Sequence, residues 1–201
     1  MFCEKFVYCL RLPDGPICDS GLKTDVIKAI NCLVIKLPKY VSTFLPQMLP
    51  PVWETLVQSA KIYQEEFVNG KGDTNDKQVD SDGKFRRDLI CNRRRYICFQ
   101  CASILIGEII NFNNLIIAIF EFVHSIVDRK RFSNLLDNLL QEVMYYLIIF
   151  MQITDDQIEL WTTNPNQFVE EDDILTYNVR ISAQELLTVI FQKQLNETVN
   201  W

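Results

Sequence analysis

Few side chains in this sequence are types that do chemistry, and their spacing limits what they can do. Cys98-Phe-Gln-Cys101, with Cys91 upstream, makes a C-x-x-C with a third thiol, a pattern open to zinc or redox chemistry. A structural zinc site needs four ligands, and neither a second C-x-x-C nor an H-x-x-x-H follows. The seven cysteines are odd in number and scattered through helical patterns, so they are expected as reduced thiols of a cytosolic or nuclear protein. His124 is the single histidine and lies in the most apolar stretch. It is expected as a core or groove histidine bonded to a carbonyl, because no nucleophile or carboxylate motif converges on it as a general base requires. The sequence has no phosphate loop, dinucleotide fingerprint, nucleophile elbow or HExxH. No catalytic, cofactor or metal residue is assigned, and the expected class is a binding protein rather than an enzyme.

The acidic residues are the better candidates. From Phe132 to Val179 there is no Lys or Arg, while Glu170, Glu171, Asp172 and Asp173 stand together. A solubilising loop and an electrostatic contact for a basic partner both fit such a run, since crowded like charges on a loop stay ionised and steer cations. A calcium loop does not fit, because the alternating ligand spacing and turn glycine are missing. The net charge of −6 hides an uneven layout. Lys84, Arg86, Arg87, Arg93, Arg94 and Arg95 face Asp88 alone, so 84–107 carries +5 and the rest, 14 cations against 25 acids, −11. An acidic chain of this kind is not expected to take nucleic acid or anionic lipid as its main ligand.

Helices must position these residues. Val26, Ile30, Leu33 and Leu37, widened by Ile27 and Val34, predict a helix over 22–37 that Pro38 ends. After Pro46, Pro50 and Pro51, the residues Trp53, Leu56, Val57, Ala60, Tyr63 and Phe67 predict a second helix over about 51–68. The segment 69–83 is polar, rich in Gly and Asp, and expected as a loop. A helix over about 111–128 is apolar around so much of its circumference that it should be sandwiched between neighbours. Its partner is expected over about 133–153, with Leu136, Leu139, Leu140, Val143, Leu147, Ile148 and Met151 on its face. Thr154-Asp-Asp-Gln157 matches a capping box for a short helix through Trp161, stopped by Asn164-Pro165. An acidic loop over 166–177 and a last helix over about 178–195 follow.

No segment alternates as a half-buried strand would, so the class is all-α. Helices paired as 22–37 with 51–68 and 111–128 with 133–153, and a third pair begun, suggest an α-solenoid, with a closed bundle as the alternative. A chain stopping after the first helix of a pair is expected to be a fragment. Glu4 and Lys5 interrupt the start where a signal peptide would be apolar. Glu108 with Asn111, Asn113 and Asn114 argues against a spanning helix over 96–120; no membrane insertion is expected.

Several stretches carry a family resemblance: LRLPDGPICDSGLKTDVIKAINCLV (10–34), LPPVWETLVQSA (49–60), VDSDG (79–83), FNNLIIAIFEFVH (112–124), MQITDDQIELWTTNPNQFVEEDD (151–173) and YNVRISAQELL (177–187). Together these resemble nuclear import receptors of the importin-β (karyopherin-β) family. The resemblance implies an α-solenoid of HEAT-type (armadillo-like) antiparallel helix pairs. It places a partial array over 7–201, about two and a half pairs taken from a receptor's N-terminal half. It implies basic protein cargo (core histones, ribosomal proteins, actin), Ran–GTP and nucleoporins as partners, with shuttling between cytoplasm and nucleus. Glu170, Glu171, Asp172 and Asp173 become candidate cargo or Ran contacts, and no cofactor is implied. The alternatives are a HEAT-type scaffold outside transport and a small metal-binding or redox protein built on Cys91, Cys98 and Cys101.

The sequence departs from the family pattern at one place. There DSDG is followed directly by Glu and the helix containing FEFVH, whereas here KFRRDLICNRRRYICFQCASILIG (84–107) intervenes before Glu108. Removing that basic, cysteine-rich insertion restores DSDG-EII-NFNNL. A short intron retained in frame accounts for it, which predicts that the main transcript lacks the segment; a true insertion forming a helix is the rival.

Overall fold

The computed structural model describes residues 2–12, 20–68, 99–132, 135–136, 138–166, 169 and 178–199. Its helices are α1 (Phe2–Leu10), α2 (Ser20–Lys36), α3 (Pro38–Val41), α4 (Leu45–Tyr63), α5 (Phe99–Val127), α6 (Leu140–Phe150), α7 (Asp155–Thr163) and α8 (Val179–Val199). One π turn, Gln64–Val68, prolongs α4. Among the described residues there is no strand, and no helix is long and apolar enough to cross a membrane.

The contacts sort the helices into two rows. α4 packs against α1 and α6, while α5 packs most extensively against α2 and next against α8. Across the rows, α1 meets α2, α4 meets α5, and α6 meets α8. Named contacts give the directions. Phe67 stacks on Phe112, while Pro46 and Leu49, two turns or more earlier on α4, share a cavity wall with Phe122 and Val123 of α5, so α4 and α5 are antiparallel. Trp53 meets Tyr146 and Tyr63 meets Phe150, so α4 and α6 run the same way. Ser182 and Glu185 flank Glu121 and His124, and further along Lys193 Nζ donates to the Val127 carbonyl (2.9 Å), so α5 and α8 are also parallel. Antiparallel pairs stacked with like helices parallel are the geometry of a HEAT-type α-solenoid, and the fold is all-α.

The pairing is shifted by one helix from the one expected. The segment 22–37 lies along α5 and pairs with α1 rather than with 51–68, because α1 supplies a partner that the short stretch at the start did not announce. α5 is sandwiched among α2, α4 and α8, as its apolar circumference demands. It starts at Phe99 rather than near 111, the apolar run before Gly107 being able to extend the same helix.

Two other boundaries differ. α4 begins at Leu45 and contains Pro50 and Pro51. A proline leaves the carbonyl four residues earlier without its donor; here those carbonyls belong to Pro46 and Gln47, both exposed, where water can serve them. The partner helix expected over 133–153 is only Leu140–Phe150. Leu135 and Leu139 instead close three-residue turns, their N–H groups donating to the Phe132 (3.0 Å) and Leu136 (2.8 Å) carbonyls. The buried face of α6 is Val143, Leu147 and Phe150, with Ile149 beside it, and Ile148 is exposed. Leu37 and Phe191, also expected inside, are exposed as well.

Five rings bind the rows together. Phe112, Phe67, Tyr63, Phe150 and Phe120 follow one another with centroids 5.9, 5.6, 5.1 and 5.4 Å apart. The series leaves α5, passes through the π turn, α4 and α6, and returns to α5 two turns later. Rings at these separations attract through their quadrupoles beyond the area they bury.

Candidate functional site

The acidic run Glu170, Glu171, Asp172 and Asp173 lies outside the described residues, as do Cys91 and Cys98; Cys101 belongs to the first turn of α5, its side chain outside the description. What is described is how the run's two ends are held. Gln157 N–H donates to Thr154 Oγ1 (3.3 Å), and Thr154 N–H donates to Gln157 Oε1 (3.1 Å). The expected capping box is therefore present in both directions, and it fixes the entry of α7, which ends at Asn164. On the far side, Ile181 N–H donates to Asn178 Oδ1 (2.9 Å), which caps α8. α7 rests on the π turn after α4. Between α7 and α8, Pro165, Asn166 and Val169 are helical, so the loop expected over 166–177 does not begin at Asn166, and the rest of that stretch lies outside the described residues.

His124 lines a groove, one of the two settings expected for it, without the expected bond to a carbonyl. It is exposed, and its ring makes no hydrogen bond among the described residues. The reason is positional: α5 turns Ile119, Phe122, Val123 and Ile126 into the core, which leaves Glu121, His124 and Ser125 as a polar strip at helical spacing. That strip faces Asn31 of α2 and Ser182 and Glu185 of α8 across a groove of about 310 Å³, floored by Phe120 and Leu186. No hydrogen bond links His124 to a serine there, so the groove lacks the nucleophile–base contact of acyl transfer. Among the described residues no group of three His, Cys, Asp or Glu side chains is placed to hold a metal ion. Of the described cysteines, Cys9 is half-buried and Cys32 exposed, both free. Glu121, Glu185 and Asn31 escaped the sequence reading, although two of them sit at three-residue spacing from His124 and Ser182 on otherwise apolar helices.

A second concavity lies on the opposite face of α5. It measures about 400 Å³ and is apolar, walled by residues such as Leu49, Trp53, Val123, Leu136 and Val143. Two turns past Leu56, the last α4 residue of its lining, Tyr63 is buried, and its hydroxyl donates to the Gln152 carbonyl (3.4 Å). Burial pushes the Tyr63 phenol above its usual value, with the Arg180 guanidinium pulling the other way.

No protein-family model matches the chain. The chain is similar to Importin-9 of Drosophila melanogaster, 28% identical over 191 residues. The match takes in 94% of this chain and 17% of that relative, so the chain spans about a sixth of the relative's length. The likeness is thus to one stretch of a much longer importin, and it agrees with the helical array.

Proposed function

We propose that the chain is a segment of a nuclear import receptor, a binding scaffold without catalytic activity that takes basic protein cargo. The observation that carries this reading is the similarity to Importin-9 along 94% of the chain, joined to an array of stacked helix pairs. Core histones and ribosomal proteins are the cargo whose charge suits the acidic part of the sequence, and actin is a further candidate. The full-length receptor binds Ran–GTP and nucleoporins and shuttles between cytoplasm and nucleus. The array extends over 7–201, and the basic segment 84–107 interrupts it without contributing to cargo contact.

Glu170, Glu171, Asp172 and Asp173 are the proposed contacts. Clustered like charges act mainly through long-range attraction, so their contribution is sensitive to ionic strength. The test is binding of the full-length receptor to core-histone dimers across a salt series, with the four residues reversed to Lys. The expected result is affinity lower by about tenfold or more at low salt, with a flatter salt dependence. Unchanged affinity and slope would remove the run from the contact surface. Failure of Ran–GTP to bind the full-length protein, or to release the histones, would instead assign the array to a scaffold outside transport.

A further inference from the structure

We infer that the groove among α2, α5 and α8 is a docking site for a lysine or arginine side chain of a basic protein segment. Its wall carries two carboxylates, Glu121 on α5 and Glu185 on α8. Neither makes an ion pair with another described residue, and both are exposed. Lys193, a neighbouring cation on α8, is committed to the Val127 carbonyl, and Arg180 lies near enough to Tyr63 to bias its ionisation. The two carboxylates therefore sum rather than being neutralised by another described residue, and the low-dielectric floor of Phe120 and Leu186 strengthens their field.

Asn31 supplies a separate sign. Its Oδ1 is buried and has no hydrogen-bond partner among the described residues, and the residue lines the same groove. A buried acceptor left unpaired is unfavourable, and an incoming N–H would satisfy it. Carboxylates on two sides and an amide oxygen on a third make an acceptor-rich hollow. Guanidinium and ammonium groups are donor-only, so they match it. The volume, about 310 Å³, is roughly ten times the ~30 Å³ share of one water, which is room for a long side chain with part of its hydration. A phosphate or carboxylate ligand would meet the wrong charge.

The groove lies on a different face from the apolar cavity and on different residues from the acidic run. It deepens the cargo reading, and it rests on that reading only for the kind of partner. It would give cargo a fixed point on the α2/α5/α8 row, in addition to the charge of the run 170–173.

The test is fluorescence anisotropy of a labelled oligoarginine peptide with the full chain, an oligoglutamine peptide serving as neutral control. Glu121→Gln with Glu185→Gln is expected to weaken binding about tenfold at low salt, as the loss of two rim ion pairs implies. Asn31→Leu, which leaves the charge intact, should weaken it about threefold, roughly one hydrogen bond. Glu142→Gln, an exposed acid on α6, should leave it unchanged, and circular dichroism should show equal helix content throughout. Groove variants that bind like the wild type overturn the inference. If they do so while neutralising Glu170, Glu171, Asp172 and Asp173 weakens binding, the cargo reading stands without the groove. If the groove variants weaken binding and the run variant does not, the groove stands and the run loses its role. An equal loss from Glu142→Gln would mean diffuse attraction and also overturns the site.

Discussion

The two grooves beside α5 use one helix in opposite ways. Ile119, Phe122 and Val123 face the α4 side and line an apolar cavity of about 400 Å³. Glu121, His124 and Ser125, offset by two positions and so by about half a turn, face α2 and α8 and line a polar one of about 310 Å³. The first is bounded by Trp53, Phe122 and aliphatic chains, many of them buried in the core. The second sets polar side chains over Phe120 and Leu186 of the core, and one of them, Asn31, carries a buried oxygen with no partner among the described residues. Packing explains the apolar groove. It does not explain the polar one.

That difference predicts unequal responses to mutation. The largest effect is expected from Phe150→Ala. Phe150 is fully buried and stands between Tyr63 and Phe120, so truncation opens a hole where α4, α5 and α6 meet. Losses of this kind are about 3–5 kcal/mol, which for a marginally stable array means a large fall in the urea midpoint. A change below about 1 kcal/mol would show that the ring series does not join the rows.

A reciprocal pair of substitutions sharpens the contrast further. Leu136 is buried in the wall of the apolar groove, and Leu136→Asn places an amide there with no partner, at a cost of about 3 kcal/mol. Asn31→Leu does the opposite in the polar groove. It removes the orphaned Oδ1 and should raise stability by about 1 kcal/mol, while weakening the oligoarginine binding described above. Stability gained as binding is lost is the pattern of a residue kept for its site rather than its fold. If Asn31→Leu destabilises instead, the amide is part of the packing and the two grooves are more alike than their linings suggest.

How much of this the sequence disclosed follows the range of the interactions concerned. The capping box at Thr154 and Gln157 was legible because both partners lie within one turn. The burial of Val26, Ile30, Leu115 and Ile119 was legible because a core face repeats at helical spacing. The start of α4 was not, since three prolines argue for a break unless their stranded carbonyls reach water. The length of α6 was not, because three-residue turns at 132–139 compete with the helix on nearly equal local terms. The pairing of α2 with α1 and its lie along α5 depend on contacts across the chain, and so does the groove. Glu121 and His124 announce a polar strip, but Asn31 is ninety positions from Glu121, and only the stacking of α2 on α5 brings them to one hollow. The acidic run was legible as charge, and its geometry lies outside the described residues.

The smallest expected effect tests the ring series through its one titratable member. Burial raises the Tyr63 phenol above its ordinary value of 10.0, against the pull of Arg180, so the folded chain holds that proton more tightly than the unfolded chain. The contribution to stability is complete below pH 10.0, the unfolded value, and is lost as pH rises through the folded value. Tyr63→Phe keeps the ring contacts with Phe67 and Phe150 but gives up a long hydrogen bond to the Gln152 carbonyl (3.4 Å). At neutral pH it should therefore cost about 0.5 kcal/mol, at the low end for a hydrogen bond. In alkali the order reverses, since the variant no longer has a phenol to ionise in the core. Urea midpoints measured from pH 7 upward should fall more steeply for the wild type than for Tyr63→Phe, and the curves should converge or cross. Parallel curves would mean that the phenol reaches water in the folded state, which would place the end of α4 at the surface and take one ring out of the series.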